Sequence, residues 1–356
     1  MKSLLDDHKT FAHYDEKDVY QSLLNFPAQF ESSWHDSQFI SLGFEITAIK
    51  NILFVGMGGS NLPAHLIQSL APFILHHSFE IVANYRLPQY ADKNTLVVLV
   101  SYSGNTEEVL SCAQDALEHK SLVVVITTGG KLKEFSHLHH WPVMVLDQKL
   151  NPSSVPRFGL GLLLGASLGL MVRLNPAAFH YIDPKQITRT LERTLDFVRR
   201  ENDTGVNPAK SLALKNKGQA ITIISANHLI GSAKVGLNFI NETAKTYANS
   251  FSIPDLNHHL LEGLAFPLSL KDNTRFLLLN SNIYPRAIQN RFQITKEILL
   301  KQQYQLTMIS PEATDPVAQV FESLVFLSMF SYYLSIVNKQ DPSTNPWVDH
   351  FKKQLS

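Results

Sequence analysis

The stretch LVVLVSYSGNTEE, Leu96 to Glu108, decides how the chain is read. Leu96–Val100 is an unbroken apolar run too short for a helix, the pattern of a strand buried on both faces. Ser101-Tyr-Ser-Gly-Asn-Thr106 follows without a spacer, and Glu107 and Glu108 stand where the first turn of a helix would begin. A strand that runs straight into a turn and a helix belongs to a parallel sheet with right-handed crossovers. Outward from this point the pattern repeats. Asn51–Val55 precedes a helix-period segment, Asn61–Leu70, and Leu122–Ile126 follows the one that opens at Thr106. Ala220–Ile224, Arg275–Leu279 and Gln305–Ile309 are strand-like again, separated by helical stretches at Leu229–Lys245 and Pro285–Lys301. The expected fold is therefore α/β: two doubly wound parallel-sheet domains joined by helices, residues 1–190 carrying the turn above and residues 191–356 ending in a helical tail.

With 356 residues the chain can build two ordinary cores without staples. Thirty-one Lys and Arg balance thirty-one Asp and Glu, so no global field gathers nucleic acid or an anionic membrane, and an anion must be held by local geometry. The single cysteine, Cys112, has no internal disulfide partner and reads as a small buried thiol. Met1–Tyr14 is charged and has no apolar run, so no secretory signal is expected and the expected location is the cytoplasm. Phe158–Leu174 is broken by four glycines and carries Arg173, and it falls short of the roughly twenty residues of a membrane span. It reads as a buried helix. Charged residues form 17% of the chain, below the roughly 25% of ordinary soluble proteins, which points to surface covered by a partner subunit.

The turn after Val100 is the leading candidate site. In a parallel sheet, ligands bind beyond the carboxyl ends of strands, where a helix start offers unpaired N–H groups and the positive end of its dipole. Ser101, Ser103 and Thr106 add hydroxyls, and Gly104 lets the backbone come close to a phosphate. The competing reading is that Thr106 only caps its helix while Ser and Gly make a turn. Gly56-Met-Gly-Gly-Ser60, with Gly59 inside it, opens another helix after another strand; it has neither the dinucleotide spacing nor the Lys-Ser/Thr of a nucleotide P-loop. It suits close backbone approach to a small ligand, and no nucleotide cofactor is expected. Arg157 stands before the Gly-rich helix, either facing a developing oxyanion or in a structural ion pair.

Candidate acid–base groups lie in the second half. Asn241-Glu-Thr-Ala-Lys245 ends a helical stretch, and Leu256-Asn-His-His-Leu-Leu-Glu262 follows. Moving a proton between adjacent sugar carbons needs a carboxylate such as Glu242, and opening a cyclic sugar needs a second proton donor. Taken alone, Glu242 reads first as a surface helix residue, and His258 and His259 suit packed rings or a chance pair. His76, His77, His137, His139 and His140 show no HExxH or CxxC spacing, so no metal site is expected.

Together these segments resemble the sugar-isomerase (SIS) domain superfamily, and within it the bifunctional phosphoglucose/phosphomannose isomerase family. The resemblance spans nearly the whole chain through GMGGS at 56–60, SYSGNTEE at 101–108, VPRFGLG at 155–161, NETAK at 241–245, LNHHLLEG at 256–263 and the terminal Asp-Pro…Lys352 segment. It implies two SIS-type domains and aldose–ketose isomerisation of hexose 6-phosphates through a cis-enediolate, with neither metal nor other cofactor. By the same resemblance Gly59, Ser60, Ser101, Ser103 and Thr106 would hold phosphate. Arg157 would stabilise the enediolate, Glu242 would carry the proton between C1 and C2, His258 would assist ring opening in the neighbouring subunit's site, and Lys352 would lie near the ring oxygen. A homodimer would follow. Two departures stand out. Asn257-His-His-Leu260 replaces the family's Asn-His-Asn-Glu, and where related dual-specificity enzymes place a threonine ahead of the lysine, Thr344 and Asn345 both lie near the position. The contrasting reading is a regulatory protein that binds a sugar phosphate without chemistry.

Overall fold

In the computed structural model, which describes residues 3–355, the apolar run Leu96–Val100 lies in a strand, Thr95–Ser101, buried along its whole length. It lies at the centre of a five-stranded sheet. We number the strands β1 (Asn51–Val55), β2 (Ser78–Val82), β3 (Thr95–Ser101), β4 (Leu122–Thr127) and β5 (Val143–Val145); their order is β2-β1-β3-β4-β5 and every pairing is parallel. Side chains alternate between faces. Leu53, Val55, Val97, Leu99, Val123 and Val125 share a core with Val109, Cys112, Ala113 and Ala116 of the Glu107–Glu118 helix.

The glycines of the apolar helix Leu160–Leu174 have a packing cause. They recur every fourth residue and so form one face. A Cβ at Gly161, Gly165 or Gly169 would stand 2.4 Å from Phe26 Cδ2, 2.3 Å from the Phe30 carbonyl or 2.0 Å from Ser37 Oγ. The Phe26–Ser37 helix therefore lies nearly backbone to backbone against it. By length and apolar content this helix with its preceding turn, and Pro316–Val337, could cross a bilayer, yet both are buried inside protein.

The chain divides into two units, Leu24–Glu192 and the remainder, with the division inside the Pro184–Val198 helix. This differs from an N-terminal domain of residues 1–190, because residues 3–23 pack with 193–355. The cause is an aromatic and polar anchor on the Pro316–Val337 and Pro208–Lys215 helices. Phe11 and Tyr20 stack on Tyr332 at 6.0 and 5.7 Å between centroids, the Tyr332 hydroxyl donates to Asp15 Oδ2 at 3.0 Å, and buried Lys210 meets Asp6 at 3.1 Å.

That second unit holds a four-stranded parallel sheet, β6 (Ala220–Ala226), β7 (Ala248–Ile253), β8 (Thr274–Leu279) and β9 (Gln305–Ile309), in the order β7-β6-β8-β9. The expected α/β architecture of two doubly wound sheets is present, and the second sheet repeats the order of the first four strands. The strands β2, β5 and β7 were not foreseen.

Candidate active site

In the order β2-β1-β3-β4-β5 the chain leaves β1 toward one edge and resumes from β3 toward the other. Ligands of doubly wound sheets bind at the carboxyl ends of such a pair. Both motifs sit there, GMGGS after β1 and SYSGNT after β3.

Ser60, Ser101 and Thr106 converge at this point. The Tyr102 N–H donates to Ser60 Oγ at 2.9 Å, joining the two loops, and Ser101 Oγ lies 2.8 Å from Thr106 Oγ1. Ser101 Oγ also accepts from Gly104 N at 3.1 Å. Thr106 is the residue before the Glu107–Glu118 helix, yet its side chain makes no capping hydrogen bond. This disposes of the reading in which Thr106 only caps. Its hydroxyl turns toward Ser101, and the first N–H groups of the helix lack the partner a threonine cap normally supplies. Ser103 is exposed at the rim, and its Oγ accepts from Asn105 N at 3.3 Å. Glu107 and Glu108 occupy the same positive helix end, with Glu107 accepting from the Tyr85 hydroxyl at 3.2 Å.

Gly104 is obligatory here. Its φ of +69° lies in the left-handed region, and a Cβ would stand 1.8 Å from the Gly129 carbonyl of the loop after β4. Gly59 has a different role: a Cβ would come within 3.1 Å of Arg157 N, so the loop after β1 rests on the segment that carries the arginine. Arg157 is buried, its guanidinium carbon 4.8 Å from the centroid of the Phe158 ring.

Tyr102 and Asn151 escaped the sequence reading. Asn151 Nδ2 donates to the Tyr102 hydroxyl at 2.9 Å and to the Val155 carbonyl at 3.0 Å, bracing the loop that leads to Arg157. Burial raises the Tyr102 pKa, which keeps the phenol neutral. No local signal marked either residue, because Ser101 and Tyr102 are both buried and the Tyr102–Asn151 contact joins residues 49 positions apart.

The acid–base candidates belong to the other unit. Glu242 is the last residue of the Ile230–Glu242 helix, half-buried, and its Oε2 accepts from Asn345 Nδ2 at 3.1 Å. His258 ends the turn Asp255–His258 beyond β7 and is exposed; beside it His259 Nε2 lies 3.6 Å from Asp255. Lys352 is exposed on the Pro346–Leu355 helix, two turns or about 10 Å along the axis from Asn345. Among the described residues no group of three His, Cys, Asp or Glu is placed to hold a metal ion. His139 instead packs between Phe135 and Trp141, at 4.5 and 5.5 Å between centroids.

At the corresponding strand ends of the second sheet, protein side chains bond to one another. Gln319 Nε2 donates to the Ala313 carbonyl at 2.8 Å, which fixes the amide's orientation. Its Oε1 then accepts from the Ser281 hydroxyl at 2.6 Å and from His228 Nε2 at 2.9 Å. An amide oxygen only accepts, so Nε2 carries the proton. Burial lowers the His228 pKa and holds the ring neutral.

Residues 45–140 match the family described as SIS domain, and residues 205–355 match that described as bacterial phospho-glucose isomerase C-terminal SIS domain. The fold and the site thus define a protein of paired SIS domains. The chain is 30% identical over 350 residues to the bifunctional phosphoglucose/phosphomannose isomerase of Caldicellulosiruptor bescii, a match that covers 95% of this chain and 99% of that protein. It is 26% identical over 344 residues to the protein of the same name from Aquifex aeolicus, covering 95% and 98%. The chain belongs to the bifunctional phosphoglucose/phosphomannose isomerase family. Among solved structures, a hypothetical protein from Thermus thermophilus shares the fold with a TM-score of 0.76 at 13% identity, over 98% of this chain and 92% of that one.

Proposed function

We propose that the protein interconverts glucose 6-phosphate and mannose 6-phosphate with fructose 6-phosphate through a cis-enediolate. The observation that carries this reading is the convergence of Ser60, Ser101 and Thr106 at an uncapped helix start, a geometry made for a phosphate group. Family membership supplies the hexose.

In this mechanism the hydroxyls, with Ser103 at the rim and the Gly59 backbone, hold the phosphate and thereby fix the sugar carbons. Glu242 takes the proton from C2 of the open aldose, and the electron pair forms the C1–C2 double bond of the enediolate. Arg157 offsets the negative charge that develops on oxygen. The carbon-bound proton returns to C1 while the hydroxyl proton passes from the C2 oxygen to the C1 oxygen, so that C2 becomes the carbonyl and the C1 oxygen ends as a hydroxyl. His258 and Lys352 serve ring opening, and the exposed position of His258 suits work in a partner's site of a homodimer.

The test is a coupled assay from fructose 6-phosphate that reads glucose and mannose 6-phosphates separately, on the wild type and on Glu242→Gln. Gln keeps the shape but cannot accept the proton, so kcat falls by about 10² to 10⁴ with little change in KM. In heavy water the wild-type aldose product carries deuterium at C2. Near-normal turnover by Glu242→Gln would overturn the reading.

A further inference from the structure

We infer that Asn345 is a positioning residue for Glu242, holding the carboxylate in the plane that proton transfer requires. The inference rests on Glu242 being the base. A carboxylate that must reach two adjacent carbons in turn works only if its plane is held between the two transfers.

The structure builds a support for this. The segment 338–345 is laced onto the turn that follows Glu242. Asn338 Nδ2 donates to the Ala244 carbonyl at 3.1 Å and to Thr246 Oγ1 at 2.9 Å, and Lys245 Nζ donates to the Asp341 carbonyl. The Ser343 N–H closes onto Asp341 Oδ1 at 2.7 Å. At the end of this lacing Asn345 Nδ2 reaches Glu242 Oε2 at 3.1 Å. Its neighbour Thr344 is exposed and turns away, donating to the Asp341 carbonyl at 3.3 Å. Of the two residues ahead of Lys352, Asn345 is thus the one that touches the base.

Asn345 also caps the last helix. Its carbonyl accepts from Asp349 N at 2.9 Å, and Pro346 occupies the first helical position. A capping asparagine commonly accepts a backbone N–H through its side chain. Here Nδ2 is instead a donor to the Glu242 carboxylate, a contact that fixes the carboxylate's orientation.

The test compares pH profiles of kcat/KM for the full-length wild type, Asn345→Asp and Asn345→Ala, with Glu242→Gln as the control. Aspartate is nearly isosteric and is itself a favoured helix cap, so the fold is retained, which thermal midpoints verify. It sets a like charge against Glu242. The acid limb of the profile then moves up by about one pH unit and kcat falls about tenfold, while KM changes less than twofold. Asn345→Ala, which only removes the donor, lowers kcat by less and leaves KM within twofold of wild type. A residue with a merely structural role would alter the midpoint and leave the limb in place. An Asn345→Asp enzyme with an unmoved acid limb and kcat within twofold of wild type, beside an inactive Glu242→Gln, overturns the inference alone. An active Glu242→Gln overturns the base assignment beneath it.

Discussion

Ser101 Oγ and Thr106 Oγ1 stand 2.8 Å apart across the turn between β3 and the Glu107–Glu118 helix. This pairing turns the threonine away from its capping position. The hydroxyls and the helix N–H groups are thereby directed to the same small volume, and anion binding at this turn becomes a measurable property.

Replacing Thr106 by Val keeps the branched shape and removes the hydroxyl. Because it makes no capping bond, stability changes by less than about 1 kcal/mol in urea denaturation. The KM for a hexose 6-phosphate rises about ten- to a hundredfold, as expected for one lost hydrogen bond to a charged group. Unchanged KM with an intact fold would place the phosphate elsewhere.

Gly104→Ala tests the turn rather than its hydroxyls. The added Cβ meets a backbone carbonyl, which cannot swing aside, at a residue that is also left-handed. A loss of about 2 kcal/mol or more is expected, together with weakened phosphate binding. Gly58→Ala is the control, since its φ is +51° but nothing lies within 4 Å of the added atom; its cost is confined to about 1 kcal/mol of backbone strain.

His228 makes stability depend on pH. Burial lowers its folded-state pKa below the ordinary 6.5, so the unfolded chain binds a proton that the folded ring refuses. Stability is full above about pH 6.5 and is lost as pH falls toward the folded value, with a slope of at most about 1.4 kcal/mol per pH unit for this one proton. His228→Asn flattens that part of the curve of unfolding free energy against pH, whatever it does to stability at neutrality. An identical slope in the variant would show that His228 is not the titrating group.

Cys112 is predicted to be inert. Burial, aided by the neighbouring Asp115 carboxylate, pushes its thiol up to about 12, and Sγ already donates to the Asn84 carbonyl at 3.2 Å. Native protein at pH 8 should not react with a thiol reagent on the timescale on which urea-unfolded protein reacts fully. Rapid labelling of the folded chain would require local opening around the Glu107–Glu118 helix.

Much of the fold was open to reading in the linear sequence, for a definite reason. Strands β3 and β4 are covered on both faces, so Leu96–Val100 and Leu122–Ile126 are continuously apolar, while β6 and β8 are mostly apolar, and that composition is a local signal. The motif turns are also local, since a helix start and a left-handed glycine are written within a few residues. Strands β2, β5 and β7 lack this imprint. Ser78–Val82 and Ala248–Ile253 are only partly buried and contain polar residues, and Val143–Val145 is three residues long. Their pairing is decided by the neighbouring strand.

The sequence by itself determined the α/β class, the two sheets, the helix-end cup and the family. Tertiary structure alone decided which unit receives residues 3–23, which pair with Tyr332 more than three hundred residues away, and which side chain touches Glu242, 103 residues from Asn345. Period and turn chemistry act over a few residues and leave their trace in composition. A side-chain contact across such separations leaves none, because it depends on where two folded elements bring their surfaces together.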